Sequence, residues 1–419
     1  MLLYPHFDIN DQGHLTVGGL DTVALANEYG TPVNLLDENV VRAQMRLYLR
    51  CAKQYFGENA LPLFASKALC CAEIYRIAAE EGMGIDCVSP GELYIADRVG
   101  FPASRIYFHG NNKTDADLAQ ALDMGVGTFV VDNAEELDAL NEQSLARGMR
   151  ARILLRITPG IDPHTHKAIS TGGVDSKFGS PIMTGQAEAI VLRALACEGI
   201  DLQGFHCHIG SQIFDAEPFI EAAQIMVAFM ADMTHKHGVR LHELNLGGGL
   251  GVRYTAEQPT LDVEGTIRTI AERVRELCAQ NGIAMPRVIL EPGRSIVAAA
   301  GATLYTVGSV KRIPGFKNYV SVDGGMPDNP RYALYGSPYT ALIANKADRC
   351  ADLCATVAGR CCESGDLLGE DMELSPAERA EAAARGLGER HARALLAIPA
   401  EARMEAIRRI AEGNLSVAR

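Results

Sequence analysis

The chain has no apolar run long enough to span a bilayer, and no basic leader followed by an apolar stretch. Its first residues read Met1-Leu-Leu-Tyr-Pro-His-Phe-Asp8. Neither a transmembrane helix nor a signal peptide is expected. Positive charge is also scarce: 39 Lys and Arg stand against 52 Asp and Glu, a formal net charge of −13. That argues against general affinity for nucleic acid or an anionic membrane, while a local basic pocket stays open. A disulfide framework is missing too. The eleven cysteines are odd in number and scattered. Adjacent pairs at Cys70-Cys71 and Cys361-Cys362 suit a reducing cytosol, so a cytoplasmic location is expected. Standard zinc spacing is absent as well. Cys350-x-x-x-Cys354 precedes Cys361-Cys362 with no histidine close by, and no metal is expected.

What is present is enough for a large core: 419 residues, 47% apolar and 22% charged. The first two-thirds alternates apolar runs with helical periodicity. The runs are Leu61–Ala65, Ile85–Val88, Ile106–Phe108, Thr128–Val131, Ile153–Ile157, Leu202–Phe205, Leu244–Leu246 and Val288–Leu290. Helices are predicted over Ala72–Glu81, Glu92–Val99, Asp115–Met124 and Glu135–Arg147, with caps at Ser89 and Asp132-Asn133. Eight strands alternating with helices predict an α/β fold, a (β/α)8 barrel of the TIM type. The strand ends read Lys67, Asp86, His109-Gly110, Asp132, Arg156, His206-Cys-His208, Gly247-Gly-Gly249 and Glu291. A barrel brings such ends to one face, whereas a doubly wound open sheet would not gather all eight. After Arg294 come strand signals at Ala302–Val310 and Tyr319–Val322 without long helices between them. The expected organisation is an N-terminal segment over 1–30, a barrel over 31–295, a partial β-rich domain over 296–374 and an Ala/Arg/Glu-rich helical tail over 375–419.

Lys67 follows an apolar strand in Leu61-Pro-Leu-Phe-Ala-Ser-Lys67. Either it snorkels out of the strand end, or desolvation lowers its pKa and makes it a Schiff-base amine. Leu246-Gly-Gly-Gly-Leu-Gly251 could bring backbone amides to an anion, with Arg294 and Ser211 adding to the same cradle. His206 and His208 could ligate a metal, but Ser211 and the glycines fit a phosphate better. A lysine for an aldehyde, an anion cradle, a carboxylate such as Glu291 for a pyridine nitrogen and a flat ring such as His208 together suggest pyridoxal phosphate.

These segments resemble a known family. Phe64-Ala-Ser-Lys67-Ala, His206-Cys-His-Ile-Gly-Ser-Gln212, Gly247-Gly-Gly249, Glu291-Pro-Gly-Arg294 and Cys362-Glu-Ser-Gly-Asp366 are similar to the fold-type III pyridoxal-phosphate decarboxylases. Asp175-Ser-Lys-Phe-Gly179, Gly110-Asn-Asn-Lys113 and Arg331-Tyr-Ala-Leu-Tyr335 narrow the resemblance to the diaminopimelate decarboxylase family. It runs from about residue 1 to residue 374. It implies that Lys67 carries the cofactor aldehyde, that His208 stacks on the ring and that Glu291 pairs with the ring nitrogen. Ser211, Gly248, Gly249 and the segment Pro292, Gly293 and Arg294 would hold the phosphate. Asp86 and Arg156 would support lysine and ring, or form only a structural ion pair. Arg294, Arg331, Tyr335 and Glu363 would touch an amino-acid substrate, and Cys362 would return a proton after carbon dioxide leaves. The Cys362–Asp366 segment of this family reaches the neighbouring subunit's site, which implies a homodimer with shared active sites. Asp132 and His109 read as structural, and His164-Thr-His166-Lys167 as a loop over the site.

The implied reaction is decarboxylation of meso-2,6-diaminopimelate to L-lysine and carbon dioxide, the last step of lysine biosynthesis. One departure stands against it. The family's Gly-Ala-Tyr segment and closing strand are missing, and Ser375–Arg419 contains neither lysine nor an aromatic residue. Out-of-frame translation of a GC-rich coding sequence would give such a composition. The alternative readings are therefore a cofactor-binding chain impaired in turnover, a truncated or frame-shifted product, and a related basic amino-acid decarboxylase.

Overall fold

The computed structural model describes residues 2–161 and 172–377. The 375–419 tail lies outside them beyond Ala377, as does the loop at His164–Lys167. The chain divides into two compact units.

The larger unit is Glu38–Arg253 with Gln258–Ala300. It holds eight parallel strands: β1 Leu61–Ala65, β2 Gly84–Cys87, β3 Ile106–Phe108, β4 Thr128–Val131, β5 Ala151–Thr158, β6 Ile200–His206, β7 Glu243–Asn245 and β8 Arg287–Leu290. Each pairs with the next, and β8 returns to β1 through Ile289 opposite Leu61. The ring is closed, as the alternation of strands and helices requires. Helices at Ala72–Glu81, Pro90–Arg98, Asp115–Asp123 and Ala134–Ala146 follow β1 to β4 in turn. Ser89 accepts from the Glu92 N–H and Asn133 from the Glu136 N–H, so both helices start where a side chain relieves an orphan donor. Side-chain alternation sorts each strand into two faces. Phe64, Ile85, Phe108, Phe129 and Phe205 join the large core shared with the helices. Leu63, Tyr107, Val130, Leu154 and Ile289 form a separate buried cluster that fills the barrel interior.

Beneath that cluster, at the strand starts, Glu243 is buried. It accepts from Tyr107 Oη at 3.0 Å, from Arg152 Nη2 at 3.1 Å and from Arg287 Nη1 at 3.2 Å. This closes the N-terminal end of the barrel.

The smaller unit comprises residues 1–37, 254–257 and the chain from Gly301 onward. A sheet of Val307–Arg312, Asn318–Val322, Leu353–Ala358 and Leu367–Leu374 forms it in that order, the middle pair parallel and the outer pairs antiparallel. The run expected as one strand at Ala302–Val310 is two. Gly301–Leu304 pairs antiparallel with Val33–Leu36, and Val307 opens the four-stranded sheet. A change of pairing partner leaves no trace in apolar periodicity. No helix among the described residues is long and apolar enough to cross a membrane.

Candidate active site

The C-terminal ends of the eight strands carry the polar groups. Lys67 is not on the strand but in a short 3-10 turn, Ser66–Ala68, just past β1. It is exposed. Of the two placements open in the sequence, the exit from the strand end is the one seen: the turn lifts the amine clear of the apolar strand. It still faces the site, because its charge favours ionisation of Asp86 and Glu92. Burial, and next the Lys67 charge, push His208 well below the usual imidazole range.

Gly293 lets the end of β8 lie against this turn. A Cβ there would sit 2.9 Å from the Ala65 Cβ and 3.0 Å from that of Ala68. The Ala65 N–H donates to the Pro292 carbonyl at 3.0 Å, which fixes the approach. Lys67 and Glu291 are thus held on adjacent strand ends by backbone.

Glu291 lies at the floor of this end, 6% exposed. Asn245 Nδ2 donates to its Oε1 at 2.6 Å, and His206 Nε2 stands 3.2 Å from Oε2. His109 Nε2 is 2.9 Å from Oε1, out of line for a full hydrogen bond, and 4.0 Å from Asp86 Oδ1. Burial alone would push Glu291 up, but the charges and donors of His109 and His206 hold it well below the usual carboxylate range. Burial pushes Asp86 up and His206 down to about 4. The ligand atoms of His109, His206 and Glu291 lie within 4.8 Å of one another, close enough for a cation. However, the Gly247 N–H donates to Asn245 Oδ1 at 2.9 Å, which turns the amide's Nδ2 onto Glu291. The cluster is a hydrogen-bond network around a carboxylate.

Arg156 was expected beside Asp86. Its Nε instead lies 3.9 Å from Asp132 Oδ1, and its guanidinium covers the Phe178 ring at 4.2 Å. The Gly179 N–H donates to the same Asp132 oxygen at 3.1 Å, and Thr158 Oγ1 to the Phe178 carbonyl at 2.7 Å. The Asp175–Gly179 motif therefore serves to seat Arg156. Lys113 explains the Gly110–Lys113 motif. Buried, it pairs with Glu136 at 2.7 Å and donates to the carbonyls of Gly110 and Val130, both at 2.9 Å.

The loops after β6 and β7 form the anion cradle. Ile213 and Leu250 make a parallel bridge, with the Ile213 N–H on the Gly249 carbonyl at 3.0 Å and the Gly251 N–H on the Ile213 carbonyl at 2.9 Å. Gly249 has φ +116°, and a Cβ there would collide with the Gly210 carbonyl; at Gly248 it would collide with the Glu291 carbonyl. Arg294 Nε donates to Ser211 Oγ at 3.2 Å, and the Gly248 N–H to His208 Nδ1 at 3.3 Å. Ser211, Gly248, Gly249, Arg294 and His208 are so brought together. Asp86 Oδ1 has no hydrogen-bond partner among the described residues.

Arg331, Tyr335, Cys362 and Glu363 belong to the smaller unit. Arg331 lies 5.4 Å from the Tyr335 ring centroid in the short helix Arg331–Tyr335. Cys362 and Glu363 are exposed in the segment after Leu353–Ala358. Buried Asp366 shapes that segment by accepting from the N–H groups of Cys361 and Met326. Sequence reasoning took His109 and Asp132 as structural and did not single out Asn245. Their polar places at strand ends were the available signal.

A barrel with an amine beside an ionised carboxylate and a glycine cradle has the build of a cofactor-dependent lyase domain. The family described as pyridoxal-dependent decarboxylase, pyridoxal binding domain, matches residues 41–298. Diaminopimelate decarboxylase of Bacillus subtilis is 44% identical over 368 residues, covering 87% of this chain and 83% of the relative. That of Halalkalibacterium halodurans is 44% identical over 372 residues, 88% and 84% of the two chains. Among solved structures, diaminopimelate decarboxylase from M. jannaschii in complex with L-lysine superposes with a TM-score of 0.80 at 33% identity. It covers 90% of this chain and 86% of the other. The Helicobacter pylori enzyme, also complexed with L-lysine, gives 0.77 at 30%, covering 86% of each. The chain belongs to the diaminopimelate decarboxylase family of pyridoxal-dependent decarboxylases. Its cofactor is pyridoxal 5'-phosphate, and the residues fit it. The orphaned Asp86 oxygen, the glycine loop pressed to its neighbours and the Ser211–Arg294 pair are what a ring, a phosphate and a Schiff-base lysine need.

Proposed function

We propose that the chain decarboxylates meso-2,6-diaminopimelate to L-lysine and carbon dioxide, the last step of lysine biosynthesis. The observation that carries it is the buried Glu291 carboxylate, which meets Asn245 and His206 on the strand end beside the Lys67 turn. Bound pyridoxal phosphate supplies an electron sink for the electrons of the breaking carbon–carbon bond. Lys67 would hold its aldehyde, Glu291 would keep its ring nitrogen protonated, and His208 would cover a ring face. Asp86 and Arg156 would orient ring and lysine from neighbouring strand ends. Ser211, Gly248, Gly249 and the Pro292–Arg294 segment would bind the phosphate. Arg294, Arg331, Tyr335 and Glu363 would hold the substrate's charged ends, and Cys362 would deliver a proton to the α-carbon. The relatives' names and the L-lysine in the related complexes support this substrate.

We infer a homodimer in the cytoplasm, in which the Cys362–Asp366 segment serves a second copy's site. The exposed Cys362 and Glu363 and the eleven free cysteines support it. The purified chain with pyridoxal phosphate should show a visible absorbance band that Lys67→Ala abolishes, and should release lysine from meso-diaminopimelate. A retained band without lysine release would replace this reading with the impaired cofactor-binding one; turnover of lysine or ornithine instead would shift the substrate. Mixing Lys67→Ala with Cys362→Ala chains should restore activity if sites are shared.

A further inference from the structure

We infer that Gln212 is a positioning residue for the cofactor's phosphate: its side-chain amide ties the loop after β6 to the loop after β7 and sets the width of the anion cradle. This role rests on the reading that the cradle takes the phosphate.

Gln212 closes the His206–Gln212 motif, directly after Ser211. Its backbone has φ +62°; among the described residues only Asp371 is another left-handed non-glycine. That region is costly for a glutamine, so contacts from elsewhere must hold it there. They come from the opposite loop. The Val252 N–H donates to Gln212 Oε1 at 2.9 Å, and Gln212 Nε2 donates to the Val252 carbonyl at 3.0 Å. An N–H can only donate and a carbonyl only accept, so the amide has one orientation and the pair acts like a rung of a sheet. Ile213 continues the ladder. Its N–H donates to the Gly249 carbonyl at 3.0 Å, and its carbonyl accepts from the Gly251 N–H at 2.9 Å. Residues 212–213 are thus zipped to residues 249–252, half of the bonds coming from one side chain.

The glycines are fitted to this spacing. A Cβ on Gly251 would sit 2.8 Å from the Phe214 ring, and one on Gly249 would collide with the Gly210 carbonyl. The two loops already touch through backbone, and the amide fixes their register. Ser211, whose Oγ accepts from Arg294 Nε at 3.2 Å, is carried on the same loop one residue away. Both ends of the Gln212 amide are engaged by Val252, so Gln212 acts through Ser211 and Gly249 rather than on the phosphate itself.

The full chain freed of cofactor, titrated by absorbance with pyridoxal 5'-phosphate and with pyridoxal, which lacks the phosphate, tests this. Gln212→Gly removes the amide and relaxes the left-handed backbone, so the chain should stay folded by circular dichroism. The dissociation constant for pyridoxal phosphate should rise about tenfold, the weight of one or two hydrogen bonds, while that for pyridoxal stays within about twofold. Gln212→Asn also tolerates the left-handed region but is one methylene too short for Val252, and should behave the same. An equal loss for both ligands, or no loss for pyridoxal phosphate, overturns the inference. Ser211→Ala tests the underlying reading separately. If it loses affinity for pyridoxal phosphate alone and Gln212→Gly does not, only the positioning role falls. If Ser211→Ala leaves the preference for pyridoxal phosphate over pyridoxal unchanged, the phosphate reading falls and the positioning role with it.

Discussion

The two ends of the barrel each bury a glutamate, and they use it in opposite ways. At the strand starts Glu243 meets a phenol and two guanidiniums, Tyr107, Arg152 and Arg287. The arginines cannot lose their charge, so that end is neutralised and complete. At the strand ends Glu291 meets two imidazoles and an amide, while Asp86 Oδ1 nearby has no hydrogen-bond partner among the described residues. Among the described residues no arginine head pairs with Glu291, and the Arg156 charge acts on it only from its place beside Asp132. A buried acid that is fully answered holds the fold together. One met by an amide and imidazoles, with no arginine paired to it, keeps room to meet a cation.

The sharpest break of this comparison is to remove each charge in turn. Glu291→Gln should lower turnover by about a hundredfold or more while the chain stays folded, as initial-rate assays and circular dichroism would report. Glu243→Gln should leave the cofactor's absorbance spectrum unchanged and cost about 2 kcal/mol in urea unfolding, since one arginine head is half exposed and softens the loss. If both variants fell in the same assay, the two ends would not differ in kind. Next in size is Gly248→Ala. Its Cβ would collide with the Glu291 carbonyl, so loss of about 2 kcal/mol and weaker cofactor binding should appear together in unfolding and spectral titrations.

A smaller effect is pH-dependent. The His206 pKa falls from 6.5 to about 4 on folding, so between those values the unfolded chain binds a proton that the folded chain refuses. Stability should therefore fall as pH drops through that window, and His206→Asn should flatten the fall in urea midpoints. Glu291, depressed in the fold, adds its own loss only below the usual carboxylate range. Smallest is Arg152→Ala. Its side chain is 48% exposed, so the change should stay within about 1 kcal/mol and leave cofactor affinity untouched.

Much of the barrel was legible because its signals are local. The Leu61–Ala65 strand and the Ala72–Glu81 helix fall where periodicity puts them, and Ser89 and Asn133 cap as their positions suggest. Polar strand ends pointed to the right face. What the sequence hid depends on which ends become neighbours in angle and height. Arg156 read as acting with Asp86, and the placement of Phe178 and Gly179 sets it beside Asp132 instead. His109 lies 182 residues before Glu291, and no spacing rule joins them. Lys67 could have been buried or carried out of the strand end, and the short turn after the strand decides for the second.

That turn has a consequence for how the protein is made ready. Lys67 is an accessible amine on a finished barrel, while Lys113 is sealed against Glu136. An aldehyde arriving from solution meets the first and not the second. Which of the two lysines an aldehyde can reach is therefore decided by accessibility before any chemistry begins.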